Sequence, residues 1–313
     1  CLDSGKGEFL TCSPEQNPNL FYAVLGGLGQ FGIINRARIV LAPAPKRAKW
    51  VKMVYTNFDA FSKDQLAFIN PNSGKYYLEG SLLLDNGSPD VSFFPPDDQS
   101  KILPLIKQHG ILYVIEFAQY YDDATKTITE KELQQLMDEF NGIIYAKDVF
   151  YAEFLNRVKA EEEFLRSQGL WEVPHPWLNL FVPKSRIKDF NDGVFRDIIL
   201  KRNITKGLIL TYPMHRSKWN DKMSAVIPDE KEFYTVGFLQ LSQRDNLKMY
   251  DDQNDDIIRF CESAGIQVKH YLPQFKTKEK WKKHFGSKWN TFKEMKALFD
   301  PKMILSPGQN IFN

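Results

Sequence analysis

The residues with the types and spacing to do chemistry begin with Gly27, Gly29 and Gly32, which spell G-x-G-x-x-G. That pattern is the fingerprint of a dinucleotide-binding loop. The loop needs a strand before its glycines and a helix after them, and here the order is reversed. Residues 20–25 are apolar and read as a short helix opened by the cap signals Asn17, Pro18 and Asn19. Residues 33–41 are rich in β-branched side chains, stop at Pro43 and Pro45, and read as a strand. The position where a ribose-binding acid is expected lies near Lys52. A Rossmann loop is therefore rejected. What remains is a helix running into a glycine turn, which permits positive φ and close approach of another group. A plain glycine cap with tight packing is the alternative.

Isolated acids come next. Glu79 stands alone in an apolar strand over residues 76–84. Facing a core, it must be paired or protonated, because a lone buried carboxylate is costly. A raised pKa would suit it to proton transfer; the alternative is an edge position facing solvent. Glu161, Glu162 and Glu163 form a run on a helix, and such runs are usually solvated faces. His175 sits between Pro174 and Pro176, so its backbone is stiff; it reads as a general base or as a packed loop histidine. Trp177 and Asn179 alternate along a strand that starts at Trp177, so they point the same way. An aromatic plane beside an amide suits a flat nitrogenous ligand. No Ser-His-Asp order, P-loop or paired metal motif occurs. Cys1, Cys12 and Cys261 have neither metal-ligand spacing nor a disulfide framework.

Stepping along the chain supplies the elements that must hold these residues. Residues 50–55, 76–84, 111–121, 208–212, 233–241 and 267–272 read as strands. Residues 58–69, 125–140, 150–168, 246–264, 276–285 and 289–299 read as helices, with a further helix from a Ser185 cap to about 200 and a loop over 85–98. Strand pairs adjacent in sequence favour an antiparallel sheet with helices on one face, hence an α+β middle domain. The two chain ends differ in character and would complete another domain between them. The expected division is 1–45, 46–270 and 271–313.

With 41 basic and 39 acidic residues and no long basic cluster, the 313-residue chain carries no phosphate track, so nucleic acid is not an expected partner. No apolar run approaches the ~20 residues of a membrane span. Position 1 is Cys, no signal-peptide pattern follows, and Asp3 to Glu8 reads as a hairpin turn whose partner strand is missing, with 9–12 as the return strand. The chain therefore reads as the later part of a longer protein. Asn203-Ile-Thr205, and Asn86-Gly-Ser88 weakened by Pro89, are acceptor sequons that lean toward a secretory route.

Three stretches carry a family resemblance. They are Cys12-Ser-Pro-Glu-Gln-Asn-Pro-Asn-Leu-Phe-Tyr-Ala-Val-Leu-Gly-Gly-Leu-Gly-Gln-Phe-Gly-Ile-Ile34, Gly169-Leu-Trp-Glu-Val-Pro-His-Pro-Trp-Leu-Asn179 and Leu305-Ser-Pro-Gly-Gln309-Asn-Ile-Phe-Asn. With Tyr76-Tyr-Leu-Glu-Gly80 and Lys269-His-Tyr-Leu272, they resemble cytokinin dehydrogenase, a plant flavoenzyme, over essentially the whole chain. The Pro-His-Pro-Trp block is the specific one; the glycine block is shared more widely among flavoproteins of the vanillyl-alcohol-oxidase type.

The resemblance implies an α+β architecture: an FAD-binding domain of that type, incomplete here and built from both chain ends, with an inserted substrate domain of antiparallel sheet covered by helices. It implies FAD-dependent oxidation of the amine joining an isoprenoid side chain to N6 of adenine. The imine hydrolyses to adenine and an aldehyde, and electrons pass to a quinone-like acceptor. The implied substrates are cytokinins of the isopentenyladenine and zeatin type. Ile34, Tyr271, Ser306 and Gln309 match FAD contacts. Glu79, Trp177 and Asn179 match substrate-pocket positions, Glu161 an acid near the pocket entrance, and Leu272 an apolar position near the flavin. The family's Gly-x-Gly-His-Ser segment, whose His bonds FAD covalently, has no match in this sequence, and nor does its proton-accepting Asp. No catalytic residue is thus assigned. Three alternatives stand beside it: another flavin enzyme of the superfamily, a catalytically incomplete remnant that binds cytokinin or a partner chain, and a bare structural domain, which is what composition alone supports.

Overall fold

The computed structural model describes residues 1–85, 90–204 and 206–312. The sequon at Asn86, Gly87 and Ser88 lies outside the described residues, as does Thr205 of the second one. The chain divides into two units. One comprises Cys1–Ala42, His215–Lys231 and Lys269–Asn313, and the other Pro43–Met214 and Glu232–Val268.

The second unit is built on strands β1 (Arg47–Tyr55), β2 (Tyr77–Leu84), β3 (Ile111–Tyr121), β4 (Ile143–Phe150), β5 (Leu178–Pro183), β6 (Gly207–His215) and β7 (Glu232–Gln240). They lie in the order β5-β7-β6-β2-β3-β1-β4, and the registered pairs are antiparallel. This matches the expected α+β class.

Side chains alternate across a strand, and β3 shows what that does. Ile111, Tyr113, Ile115 and Phe117 enter the main core beside Phe58 and Phe61 of helix Phe58–Phe68. Leu112 and Val114 enter a separate core with Ile102 and Ile106 of helix Pro96–His109. Helices therefore cover both faces of the sheet, where the sequence reading placed them on one.

Other differences have local causes. Helix Pro96–His109 begins inside the expected 85–98 loop, because Pro96 occupies the first helical turn, where its missing N–H is not needed. β4 was not expected. It runs to Phe150, so the long helix expected over 150–168 becomes Tyr151–Leu155 and Arg157–Ser167, separated at Asn156. The helix expected from Ser185 to about 200 is not one continuous α-helix: residues 184–202 wind through 3-10, α and π turns.

In the first unit Leu2, Leu20, Phe31, Trp281, Phe285, Phe292 and Ile311 form the core. Helix Pro18–Val24 stands where expected. The hairpin partner read as missing is present: Leu2 pairs with Leu10 and with Ile34. The strand expected over 33–41 shrinks to Ile33–Ile34. Ile39, Val40 and Leu41 are exposed, and β propensity without a neighbouring strand does not make one. The 267–272 strand likewise shrinks to Lys269–His270. Residues 215–231, inside the expected middle segment, pack in this unit. Ser224 and Ala225 donate their N–H groups to the carbonyls of Tyr22 (3.3 Å) and Leu25 (3.2 Å).

Candidate functional site

Strand pairing in the second unit lines up charges in a row. Lys52 on β1 is in register with Glu116 on β3, and Glu116 with Glu79 on β2. The adjoining row is Trp50, Ala118 and Tyr77. Period-two alternation puts all these side chains on the face away from helix Phe58–Phe68, since the intervening Gly80 abuts Phe61 and Gln65. Small Ala118 leaves room for the buried Phe154, whose ring meets Trp50 at 5.7 Å and Tyr77 at 5.3 Å.

Glu79 is half-buried. Burial pushes its carboxyl up from the ordinary range; the Tyr77 hydroxyl, which donates to it, opposes that shift, while neighbouring Glu116 adds to it. The edge-strand, solvent-facing alternative is excluded, because β2 has neighbours on both sides. Glu116 is held by Lys52 at 3.1 Å, by Arg157 at 3.4 Å and by the Trp50 indole N–H at 2.9 Å. The row thus contains one carboxyl well supplied with cations and one supplied with a phenol. A half-buried carboxyl of raised pKa holds its proton more readily than an ordinary surface carboxylate and is suited to proton transfer.

Asn179 follows from a similar alternation on β5. Leu178, Leu180 and Val182 enter the main core, so Asn179 points to the opposite face, the same face as Glu79. Its amide has no hydrogen-bond partner among the described residues. It is in register with Gly237 on β7, and a Cβ there would lie 3.2 Å from the Asn179 Oδ1. Gly237 therefore keeps the amide free. Trp177 precedes β5 instead of opening it; its N–H folds back to the His175 carbonyl at 2.8 Å, and its ring is half exposed. His175 is exposed and edge-on to Trp177 at 5.4 Å. The flanking prolines are pinned: Pro174 accepts from the Ser242 N–H (3.0 Å) and Pro176 from the Asn254 amide (3.1 Å). Glu161 is exposed on helix Arg157–Ser167. Its neighbours Glu162 and Glu163 pair with Arg166 and Lys159, and Glu161 has no such pair among the described residues.

The first unit assembles a different group. A Cβ at Gly27 would run into the Ala23 carbonyl and the Phe31 ring, at Gly29 into the Ser306 hydroxyl, and at Gly32 into Leu2. These positions are filled by the protein's own atoms, which favours tight packing over an open phosphate cradle. Gly29 also needs its positive φ of 70°. Beside it, the Gln30 amide donates to the Ser306 carbonyl at 3.1 Å. Buried Lys296 donates to the carbonyls of Gln30 (3.2 Å) and Leu305 (3.0 Å) and to Asp300 (2.7 Å). Asp300 in turn accepts the N–H groups of Ile304 and Leu305. Burial pushes the Asp300 carboxyl up, but the Lys296 ammonium and those two N–H donors outweigh it and hold it below the ordinary range. The ion pair thereby fixes the turn Pro307–Gln309 against the glycine turn, bringing Gly29, Ser306 and Gln309 together. Ile34, Tyr271 and Leu272 are exposed in this unit, Leu272 with a left-handed φ of 55°.

For FAD, the partly accessible Ser306 and Gln309 beside the glycine turn and the exposed Ile34 and Tyr271 are polar, apolar and aromatic groups of the kind that could contact it. The residues fit the cofactor in that sense. A separate cleft of about 320 Å³ in this unit is lined by Arg216, Trp219, Lys269, His284 and Lys288 and by none of the sequence candidates. Sequence reading missed Tyr77, Glu116, Lys52, Arg157 and Gly237. Only Tyr77, two residues before Glu79, carried a local signal.

Comparison with known proteins adds to this geometry. The family described as "Cytokinin dehydrogenase 1, FAD and cytokinin binding" matches residues 45–312. Cytokinin dehydrogenase 2 of Arabidopsis thaliana is 55% identical over 99% of this chain and 63% of its own length. Cytokinin dehydrogenase 3 of the same plant is 51% identical over 99% and 60%, respectively. The chain thus spans about 60% of the length of these relatives. Among solved structures, berberine bridge enzyme from Eschscholzia californica aligns with a TM-score of 0.60 at 12% identity, covering 100% of this chain and 63% of that one. At that identity the likeness shows the fold alone.

Proposed function

The chain belongs to the cytokinin dehydrogenase family, and on that premise we propose that it supplies the cytokinin-binding face and part of the FAD site of an enzyme that cleaves the N6-isoprenoid side chain of cytokinins to adenine and an aldehyde. The observation that carries this reading is the shared sheet face of Glu79 and Asn179. One is an acid of raised pKa, and the other is an amide with no partner among the described residues. Adenine presents donors and acceptors along its edges, and an amide supplies both. Asn179 would bind such an edge, Trp177 would lie against the flat ring or the apolar tail, and Glu79 would accept from the ligand or hold a proton beside it. Glu161 would act near the site's entrance. In the first unit, Ile34, Tyr271, Ser306 and Gln309 would hold FAD, with Gly27, Gly29 and Gly32 shaping the turn behind them and Leu272 offering an apolar side chain near the flavin. When bound, FAD supplies the two-electron acceptor, and a quinone-like molecule reoxidises it.

A second reading is a cytokinin-binding chain without turnover. The visible spectrum of the purified chain with FAD, before and after isopentenyladenine is added without air, separates the two. Bleaching of the flavin band supports the enzyme. Isopentenyladenine binding by calorimetry without bleaching supports the second reading. Absence of both rejects the proposal.

A further inference from the structure

Helix Arg157–Ser167 carries Glu161 yet contains no buried residue. Its Val158 and Phe164 are 56% and 62% exposed. A helix that buries so little is not held by hydrophobic contact. It is bounded by Asn156, where the preceding helix stops, and by Gly169, whose φ of 66° is left-handed. Arg166 pairs with Glu162 at 2.9 Å and Glu172 at 3.1 Å and lies 4.9 Å from the centre of the Trp171 ring, all close in sequence. What reaches the sheet is the helix's first residue. The Arg157 guanidinium lies 4.4 Å from the ring centres of both Tyr77 and Phe154. Its Nε is 3.4 Å from the Glu116 carboxylate, and its Nη1 donates to the Phe154 carbonyl at 3.2 Å. Tyr77 is the residue whose hydroxyl bonds Glu79, and Glu116 is the residue opposite Glu79.

We propose that Arg157 is a positioning residue for both acids: by stacking on Tyr77 and pairing with Glu116 it holds the Glu161 helix against the sheet face that carries Glu79. One contact set then fixes where Glu161 sits and what charge Glu79 feels. A planar guanidinium can stack and ion-pair at once, which a lysine ammonium does less well. The inference rests on Glu79 and Glu161 being the ligand-facing acids.

The groups facing Glu79 give the signs. They are Tyr77 on its own strand, Glu116 on β3, Lys52 on β1 and Arg157 on the helix, with Lys147 and Tyr145 beyond on β4, and on the other side Tyr212 of β6, two residues past the Leu210 that pairs with Ser81. Arg157 and Lys52 lower the Glu79 pKa, and Glu116 raises it. The test is carboxyl carbon NMR of Glu79 and amide exchange of 157–167 in the ligand-free chain. Arg157→Met should raise the Glu79 midpoint and speed exchange in the helix by on the order of tenfold. Glu116→Gln should lower the Glu79 midpoint yet also speed exchange in the helix. Arg157→Lys should leave the midpoint near that of the parent chain and restore protection only in part. Opposite shifts at Glu79 with the same loosening of the helix are the signature of this arrangement. The inference is overturned if 157–167 is unprotected in the parent chain, if Arg157→Met leaves Glu79 and the helix unchanged, or if exchange rises evenly over the sheet. Should Arg157→Met not fold, Glu116→Gln and Arg157→Lys decide. No ligand is present, so failure to bind cytokinin and failure of the Arg157 arrangement are separate results.

Discussion

Glu79 and Glu116 stand directly opposite each other on adjacent antiparallel strands. Like charges in that arrangement destabilise a sheet. Here the burden is divided unequally, because Lys52, Arg157 and the Trp50 indole serve Glu116 while Glu79 has the Tyr77 hydroxyl. The sheet thus concentrates its cost on Glu79, and carboxyls perturbed in this way are common at functional sites.

That division predicts a stabilising substitution. An acid whose folded pKa is raised binds more protons folded than unfolded between the two pKa values, so its contribution to stability falls as pH rises through that window. Glu79→Gln removes the penalty. The variant should melt at a higher temperature than the parent at pH 7, by an amount worth up to about 1 kcal/mol, and the gap should close near pH 3. Thermal melts across pH check this. A Glu79→Gln chain that is less stable at pH 7 would mean the carboxylate is held favourably.

Gly237 provides a test of Asn179 that leaves the acid untouched. A methyl at position 237 would sit 3.2 Å from the Asn179 Oδ1 and turn the amide aside. Gly237→Ala should keep the fold, changing stability by no more than about 1 kcal/mol. It should weaken isopentenyladenine binding by about tenfold, worth about 1.4 kcal/mol. Calorimetry on folded protein reads both. Unchanged affinity would remove Asn179 from the binding face.

What the sequence made legible followed from local pattern. Periodicity alone located β1, β2, β3 and the helices at 58–68 and 126–139, and Glu79 was singled out because an acid interrupts an apolar strand. What it hid was non-local. Glu116, Lys52 and Arg157 are ordinary charged residues in the sequence and become a cluster only through the register of β1, β2 and β3. Gly237 gains meaning only from pairing with β5. The glycine turn was correctly denied a Rossmann role, but its true neighbour, Ser306, lies at the far end of the chain. The strand read over 33–41 failed because propensity cannot supply a partner strand.

Gly29 and Ser306 form a pair whose two costs can be separated. Alanine at 29 meets the Ser306 hydroxyl and must also adopt a φ of 70°. The left-handed conformation alone costs roughly 1–2 kcal/mol. Gly29→Ala should therefore destabilise the first unit by about 2–3 kcal/mol in chemical denaturation, and in a Ser306→Gly background by only about 1–2 kcal/mol. Equal costs in both backgrounds would show that the hydroxyl moves aside freely.

The Lys296–Asp300 pair makes the last prediction, with the opposite pH sign from Glu79. The Asp300 carboxyl is held below its ordinary value. Its stabilising contribution is therefore complete above the unfolded carboxyl's pKa of about 4 and is lost as pH falls through the folded value. Lys296→Met leaves a buried carboxylate without its cation and should cost about 3–5 kcal/mol at pH 7. The deficit relative to the parent should shrink in acid, because the parent loses its ion pair while the variant's carboxyl becomes neutral. The double variant Lys296→Met, Asp300→Asn should lose less than Lys296→Met alone, since no unpaired charge then remains buried. Denaturant melts of all three at pH 7 and at a pH well below 4, where the folded Asp300 carboxyl is protonated, decide the matter. If the double variant is the least stable at pH 7, the backbone bonds from Ile304 and Leu305 to Asp300 hold the turn, and the ion pair itself does not.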